Sequence, residues 1–315
     1  MTAKARVLLT GATVFVGANL ARLFVDREGV SVVAALHHGS NAWRIKNIAG
    51  RVETVVLDVT DERSVSEGMT AARPTHVVHC AAYGVNAAQQ DVAAALDVNL
   101  HGSLRLLHAA AKVGVKRFVH LGSGFEYGDK PGRIEEDAAP EPTTIYGSTK
   151  AAAAILLRER AAALGIETVI LRPFGLWGPL EPAHRLVPQI IAACHARRPL
   201  DLTACEQVRD YTFVTDMAGW IARIALTEGT LPFDVINLGS GSEVVLKDFV
   251  RRIARALGGE ELMRFEALPY RPREMRSLVA DTKRAEVVLG RLELTPIEEG
   301  LQQMSGQAVV SPNVE

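Results

Sequence analysis

Short apolar runs alternate along this chain with longer stretches of helical periodicity. The runs fall at residues 5–10, 31–36, 52–57, 76–80, 116–121, 166–171 and 234–238. Most are unbroken in valine, leucine and isoleucine, the composition of strands buried on both faces of a parallel sheet. Helical patterns occupy 17–27, 61–71, 89–112, 144–164 and 215–228. Repeated strand–helix units of this kind predict an α/β fold, a doubly wound parallel sheet of about seven strands.

The pattern changes after Arg172-Pro173. Residues 175–182 are crowded with glycine and proline, and a helix follows near 185–196. A smaller, discontinuous α/β lobe is expected from 175–210 and 240–303. The dinucleotide-type domain would then take 1–174 and 211–239. The segment 304–315 lacks periodicity and is expected to be a loose tail.

The bulk numbers narrow the function. The 315 residues carry a formal net charge of −1, which gives no global reason for a nucleic-acid or acidic-membrane partner. The 48% apolar content suffices for a large core. The start of the chain runs straight into a strand with no leader pattern, and no apolar run approaches the roughly 20 residues that span a bilayer. Cys80, Cys194 and Cys205 form no CxxC pair and read as reduced thiols of a cytoplasmic protein. No metal site is expected.

After the first strand comes Thr10-Gly-Ala-Thr-Val-Phe-Val-Gly17. Gly11 suits a tight turn and Gly17 a close helix–sheet contact, so that the helix start faces a pyrophosphate. Candidate cofactor contacts here are Gly11, Thr13, Val14, Phe15, Val16 and Gly17. Val14 stands where a glycine is usual, at the point where backbone should approach the phosphates. After the second strand no carboxylate is present to bind the ribose of NAD. His37, His38, Ser40, Asn41 and Arg44 suit a 2′-phosphate instead, so NADP(H) is favoured over NAD(H). Asp58, followed by Val59, is placed to bond the adenine amine or to cap the next helix.

Tyr146 and Lys150 lie one helical turn apart. A tyrosine with an ordinary pKa near 10 is a poor base. A neighbouring ammonium and an oxidised nicotinamide favour its phenolate. In the reductive direction the neutral phenol donates a proton to the substrate oxygen. Ser123, at the end of the strand Arg117-Phe-Val-His-Leu, would hold the same oxygen. Serine, tyrosine and lysine in this order predict hydride chemistry on a carbonyl or carbinol.

With these motifs, and with His79-Cys-Ala-Ala82, Val98-Asn99, Tyr127-Gly128, Leu171-Arg-Pro-Phe-Gly-Leu-Trp-Gly-Pro179 and Val208-Arg-Asp-Tyr-Thr-Phe-Val-Thr-Asp216, the chain resembles the extended short-chain dehydrogenases/reductases. These are the nucleotide-sugar epimerases, dehydratases and reductases. The resemblance implies a Rossmann fold and cofactor contacts from Cys80, Ala81, Ala82, Asn99, Pro173 and Phe174. It implies a nucleotide-sugar substrate held by Tyr83, Gly124, Phe125, Gly175, Arg185, Leu186, Arg209 and Arg271 or Arg273. Asp210 is expected to be structural, Asp216 a helix N-cap, and Asn99 a brace for the active-site helix. Sugar 4,6-dehydratases of the family carry an Asp-Glu pair after the catalytic hydroxyl residue. This chain has Gly124-Phe125 there, with Glu126 one place further and pointing elsewhere, so dehydration is disfavoured. Two enzyme readings remain, an NADPH-dependent C4 ketoreductase of a 4-keto-6-deoxyhexose, slightly preferred, and a C4 epimerase with retained NAD. A non-catalytic dinucleotide sensor is the alternative that Val14 raises. Alanine-rich 144–164, with 89–112, predicts a homodimer.

Overall fold

The computed structural model describes residues 5–86, 88–271 and 273–305. Residues 306–315 of the expected tail lie outside them, while 304 and 305 close the last helix. In chain order the strands are β1 (Ala5–Thr10), β2 (Val30–Leu36), β3 (Glu53–Val56), β4 (His76–His79), β5 (Arg117–Leu121), β6 (Arg133–Ile134), β7 (Glu167–Pro173) and β8 (Gly175–Trp177). Then come β9 (Leu200–Asp201), β10 (Val208–Arg209), β11 (Tyr211–Phe213), β12 (Val235–Leu238), β13 (Val244–Val245), β14 (Met263–Arg264) and β15 (Ser277–Ala280). Seven of them form one sheet in the order β3-β2-β1-β4-β5-β7-β12, every neighbouring pair parallel. The chain reverses direction across the sheet between β1 and β4, the crevice where such folds bind ligands.

The helices are α1 (Phe15–Val25), α2 (Glu62–Ala72), α3 (Val92–Ala95), α4 (Ser103–Lys112), α5 (Ile145–Leu164), α6 (Leu186–Ala196), α7 (Val214–Leu226), α8 (Leu246–Ala256), α9 (Lys283–Leu289) and α10 (Ile297–Ser305). Strand residues alternate between two apolar layers, which is why continuous apolar runs were needed. Val7, Leu9, Val78, Val119, Leu171 and Ile236 pack with α1 and α7. Leu8, Val77, Phe118, Ile170 and Val235 pack with α2, α4 and α5. A third cluster gathers Trp177, Ile190, Phe213, Phe249 and Ile253 around α6 and α8. A second sheet runs β13-β10-β15-β6, so β6 leaves the first half of the chain to pair with β15.

Three local features differ from the sequence reading. The helix expected over 89–112 is broken by a π-helical stretch at Leu96–Gly102. A 3-10 helix, Ala42–Arg51, follows the loop after β2. Asp216 does not cap α7. Phe213 holds the N-cap position, and Asp216, in the first turn, accepts from the Thr295 amide and hydroxyl at 2.7 Å each. Asp210 is buried and accepts from Ser240, Gly241 and Ala280, which ties β10 to the loop after β12. No helix among the described residues is long and apolar enough to cross a membrane.

Candidate active site

The carboxyl ends of β1, β4, β5 and β7 deliver most of the expected site residues to one edge of the sheet. At β1 the chain turns through Gly11, whose φ of +66° is open to glycine. A Cβ on Gly17 would collide with the Gly11 carbonyl, so this glycine lets α1 close onto the turn. Val14 is the N-cap of α1 and offers no side-chain cap, and the first turn of α1 carries no acidic residue. An α1 start with no cap and no carboxylate fits a pyrophosphate. Val14 keeps ordinary extended backbone, and its side chain is 39% exposed. Thr13, Phe15 and Val16 complete the turn.

The β1 and β4 ends are stitched together. Thr10 Oγ1 contacts His79 Nδ1 at 2.6 Å and accepts from the Ala81 amide at 3.3 Å. Cys80 is buried, and Ala81 and Ala82 run on to Tyr83. The Tyr83 amide donates to Asn99 Oδ1 at 2.8 Å, and Asn99 Nδ2 donates to Tyr83 O and to Thr149 Oγ1, each at 2.8 Å. Asn99 sits in the π-helical stretch and clamps the loop after β4 to α5. π-Helical turns collect at functional sites.

In the loop after β2, expected to meet the adenosine, the structure departs from the sequence reading. Arg44 is buried rather than presented to a 2′-phosphate. Its Nε donates to Leu180 O at 3.0 Å and its Nη1 to Thr13 O at 3.1 Å, so it braces the glycine turn. His37 Nδ1 contacts His38 O at 2.8 Å, and the Ser40 hydroxyl accepts from the His37 amide. Asn41 caps the following 3-10 helix. Burial works against ionising Asp58, but the Thr60 hydroxyl and amide, with His37 and His38, outweigh it and hold the carboxyl below its ordinary value. Val59, next to it, is buried.

Ser123 lies just past β5, where it caps the short 3-10 turn Gly124–Glu126. Glu126, expected to point elsewhere, is integral to the site. It is fully buried, accepts from the Ser123 amide at 2.8 Å and pairs with Arg172 at 2.7 Å. Arg172 also donates to the Tyr127 hydroxyl at 2.6 Å. This network fixes the serine loop against β7. Tyr146 enters from the first turn of α5, which Thr144 caps. Gly147 is required here, since a Cβ would strike the Phe125 carbonyl. Phe125 packs edge-on to Tyr146 at 6.2 Å.

The expected lowering of Tyr146 by Lys150 is not what the protein alone produces. Burial pushes the Tyr146 phenol up to about 12, opposed by the Ser123 hydroxyl. Lys150 is buried and pushed down to about 8, chiefly by desolvation, while Glu126 works to keep it charged. The resting phenol is therefore an acid. It becomes a base only when a further positive charge is near.

On the lobe side, Pro173 ends β7, Phe174 packs against Tyr127, and Gly175 begins β8. Arg185 stacks over the Phe15 ring at 5.4 Å and pairs with Glu181 at 3.3 Å, which places it within electrostatic reach of Tyr146. Leu186 opens α6. Arg209 is not a free cation. It donates to Glu274 at 3.1 Å, Met275 O at 2.7 Å and Val208 O at 2.9 Å. Arg271 and Arg273 are exposed between β14 and β15.

A family model described as the NAD dependent epimerase/dehydratase family matches residues 7–239. The chain belongs to this family. It is an enzyme family, and the expected extended short-chain dehydrogenase/reductase fold is the one found. A probable UDP-glucuronate 4-epimerase of Rhizobium meliloti is 26% identical, with 94% of each chain covered. A dTDP-glucose 4,6-dehydratase of Mycolicibacterium smegmatis is 32% identical over 72% of this chain and 70% of its own. The crystal structure of the Thermus thermophilus UDP-glucose 4-epimerase complex with NAD superposes with a TM-score of 0.83 at 26% identity, covering 96% of this chain and 99% of that one.

Sequence reasoning gave no site role to His79, His120, Thr149 or Glu181. One signal was available for the histidines. His120 interrupts the apolar β5 and His79 ends β4, and the two strands pair with His79 opposite His120.

Proposed function

We propose that this chain is a nucleotide-diphosphate-sugar 4-epimerase working on a retained NAD. The observation that carries the reading is the commitment of Arg44 to Thr13 O and Leu180 O, which removes the main cation expected for a 2′-phosphate. Asp58, held ionised near His37 and His38, would oppose a phosphate there. Gly124 and Phe125 supply no carboxyl for an elimination, in contrast to what a dehydratase needs. The full-length similarity to 4-epimerases supports the same ranking. Epimerisation thus moves ahead of ketoreduction, which the polar loop of His37, His38, Ser40 and Asn41 still favours as the second reading.

A bound nicotinamide would take up hydride from C4 and return it. The remaining work falls to this chain. Ser123 hydrogen-bonds the C4 oxygen. Tyr146, as phenolate beside Lys150, accepts the hydroxyl proton and then gives it back to the carbonyl oxygen. In this reading Arg185, stacked over Phe15 and within electrostatic reach of Tyr146, faces the sugar. The homodimer belongs to the same proposal, as does a reducing cytoplasmic location, which the three buried free cysteines support.

The test is turnover of uridine and thymidine diphospho-sugars by the purified protein with no cofactor added. Interconversion of C4 epimers is expected. Tyr146→Phe should lower kcat by about a thousandfold while dinucleotide binding persists. Strict dependence on added NADPH would select the reductase instead.

A further inference from the structure

His120 lies on β5 among apolar neighbours and is fully buried. Its Nε2 is 3.1 Å from Lys150 Nζ. Among the described residues this is the only hydrogen-bond partner of the Lys150 ammonium. An ammonium has three donors and no acceptor, so Nε2 must be the acceptor and the imidazole proton must sit on Nδ1. Among the described residues His120 Nδ1 has no partner. A buried polar atom left unpaired calls for an explanation.

The surroundings settle which groups can interfere. Facing His120 are Lys150 from α5 and His79 from β4, whose ring centroid is 5.3 Å away. Cys80 and Glu126 lie within electrostatic reach of Lys150. Burial, then the Lys150 charge, pushes His79 down to about 3, and its two ring nitrogens are taken by Thr10 and Ser103. Burial pushes the Cys80 thiol up to about 12. Glu126 is paired with Arg172. Neither His79 nor Cys80 changes charge in the working range. Burial and the Lys150 charge likewise keep His120 neutral, well below the ordinary imidazole range.

We propose that His120 is a positioning residue, a neutral imidazole that accepts one hydrogen bond from Lys150 and so holds its ammonium charged and in place for Tyr146. The role rests on the reading that Tyr146 and Lys150 carry the proton transfer. It leaves two ammonium donors for the cofactor side of the cleft. In this role the residue acts on Lys150 alone. Because burial already depresses Lys150, loss of the acceptor should move it further in the same direction, and the charge needed to support a phenolate would vanish at lower pH.

The experiment uses the full-length, cofactor-loaded enzyme with His120→Phe, which keeps a planar ring and removes the acceptor, and His120→Asn, which returns a carbonyl acceptor. In His120→Phe, kcat should fall about tenfold with KM changed less than about twofold, and the alkaline limb of the kcat profile should move down by about one pH unit. His120→Asn should restore most of the limb. A loss of equal size at every pH, or an unmoved limb, would overturn the proposal. Nitrogen shifts of His120 and the side-chain titration of Lys150, read by NMR without substrate, provide the independent arm. The Nδ1–H tautomer is expected in the native protein, and the Nε2–H tautomer would overturn the assignment even if His120→Phe does not fold. These readouts need no sugar, so their failure removes the role of His120 alone. Absence of turnover on every nucleotide sugar would remove the proposed function and leave the contact standing.

Discussion

Val14, the N-cap of α1, stands where the sequence pattern leads one to expect a glycine beside the phosphates. Its backbone is unstrained, so the turn tolerates valine, and any cost is expected in cofactor contact rather than in folding. Val14→Gly is expected to tighten NAD binding by about threefold to tenfold, measured by cofactor titration, with little change in thermal stability. Glu181 is a second residue with a measurable consequence. Its side chain is 3% exposed, and burial pushes the carboxyl up to about 7 although Arg185 opposes this. The unfolded chain ionises this group near pH 4.3. The contribution of the raised pKa is fully present below that value and is lost as pH rises through about 7, an effect on the order of 3 kcal/mol. Denaturant unfolding at about pH 5 and about pH 8 checks it. Glu181→Gln should remove this part of the slope, and an unchanged slope would mean that Glu181 is not the group responsible.

At the scale of elements, the chemistry depends on how closely the start of α5 approaches the turn after β5. Gly147 sets that distance, because any Cβ would meet the Phe125 carbonyl. Gly147→Ala should push Tyr146 away from Ser123 and reduce kcat about a hundredfold, with circular dichroism and cofactor binding preserved. Wild-type kcat in that variant would show that the approach is not limiting. Much of this level was legible in the chain. The seven apolar runs matched the seven strands of the main sheet to within two residues at each boundary, because strands buried on both faces leave an unmistakable composition. What could not be read was which polar side chains the packing would consume. Arg44 looked like a phosphate ligand and turned out to hold two carbonyls. Arg209 looked like a diphosphate ligand and is engaged by Glu274. Glu126 looked set to point elsewhere and instead anchors the Ser123 amide. Each depends on a partner distant in sequence, which local spacing does not report.

Across the whole molecule, two apolar layers support the sheet and a third cluster organises the lobe around α6 and α8. The surface of α5 shows what this packing leaves uncovered. Ile155 is 56% exposed and Leu156 40%, and Val92 and Leu96 are exposed on the neighbouring helical segment. These apolar positions lie on the two segments from which a dimer was expected, and clusters of this kind mark interfaces. Ile155→Glu combined with Leu156→Lys should shift the protein to a monomer in sedimentation at micromolar concentration. A native chain that is already monomeric there would refute the dimer.

The measurement that bears most directly on the central claim follows the hydrogen at C4. A nucleotide sugar carrying deuterium at C4 is turned over by the purified protein with no cofactor added. One site that removes and returns the same hydrogen predicts C4-inverted product with the deuterium retained. Product that appears only with added NADPH, or that has exchanged its C4 label with solvent, would contradict the assignment of this site as a 4-epimerase.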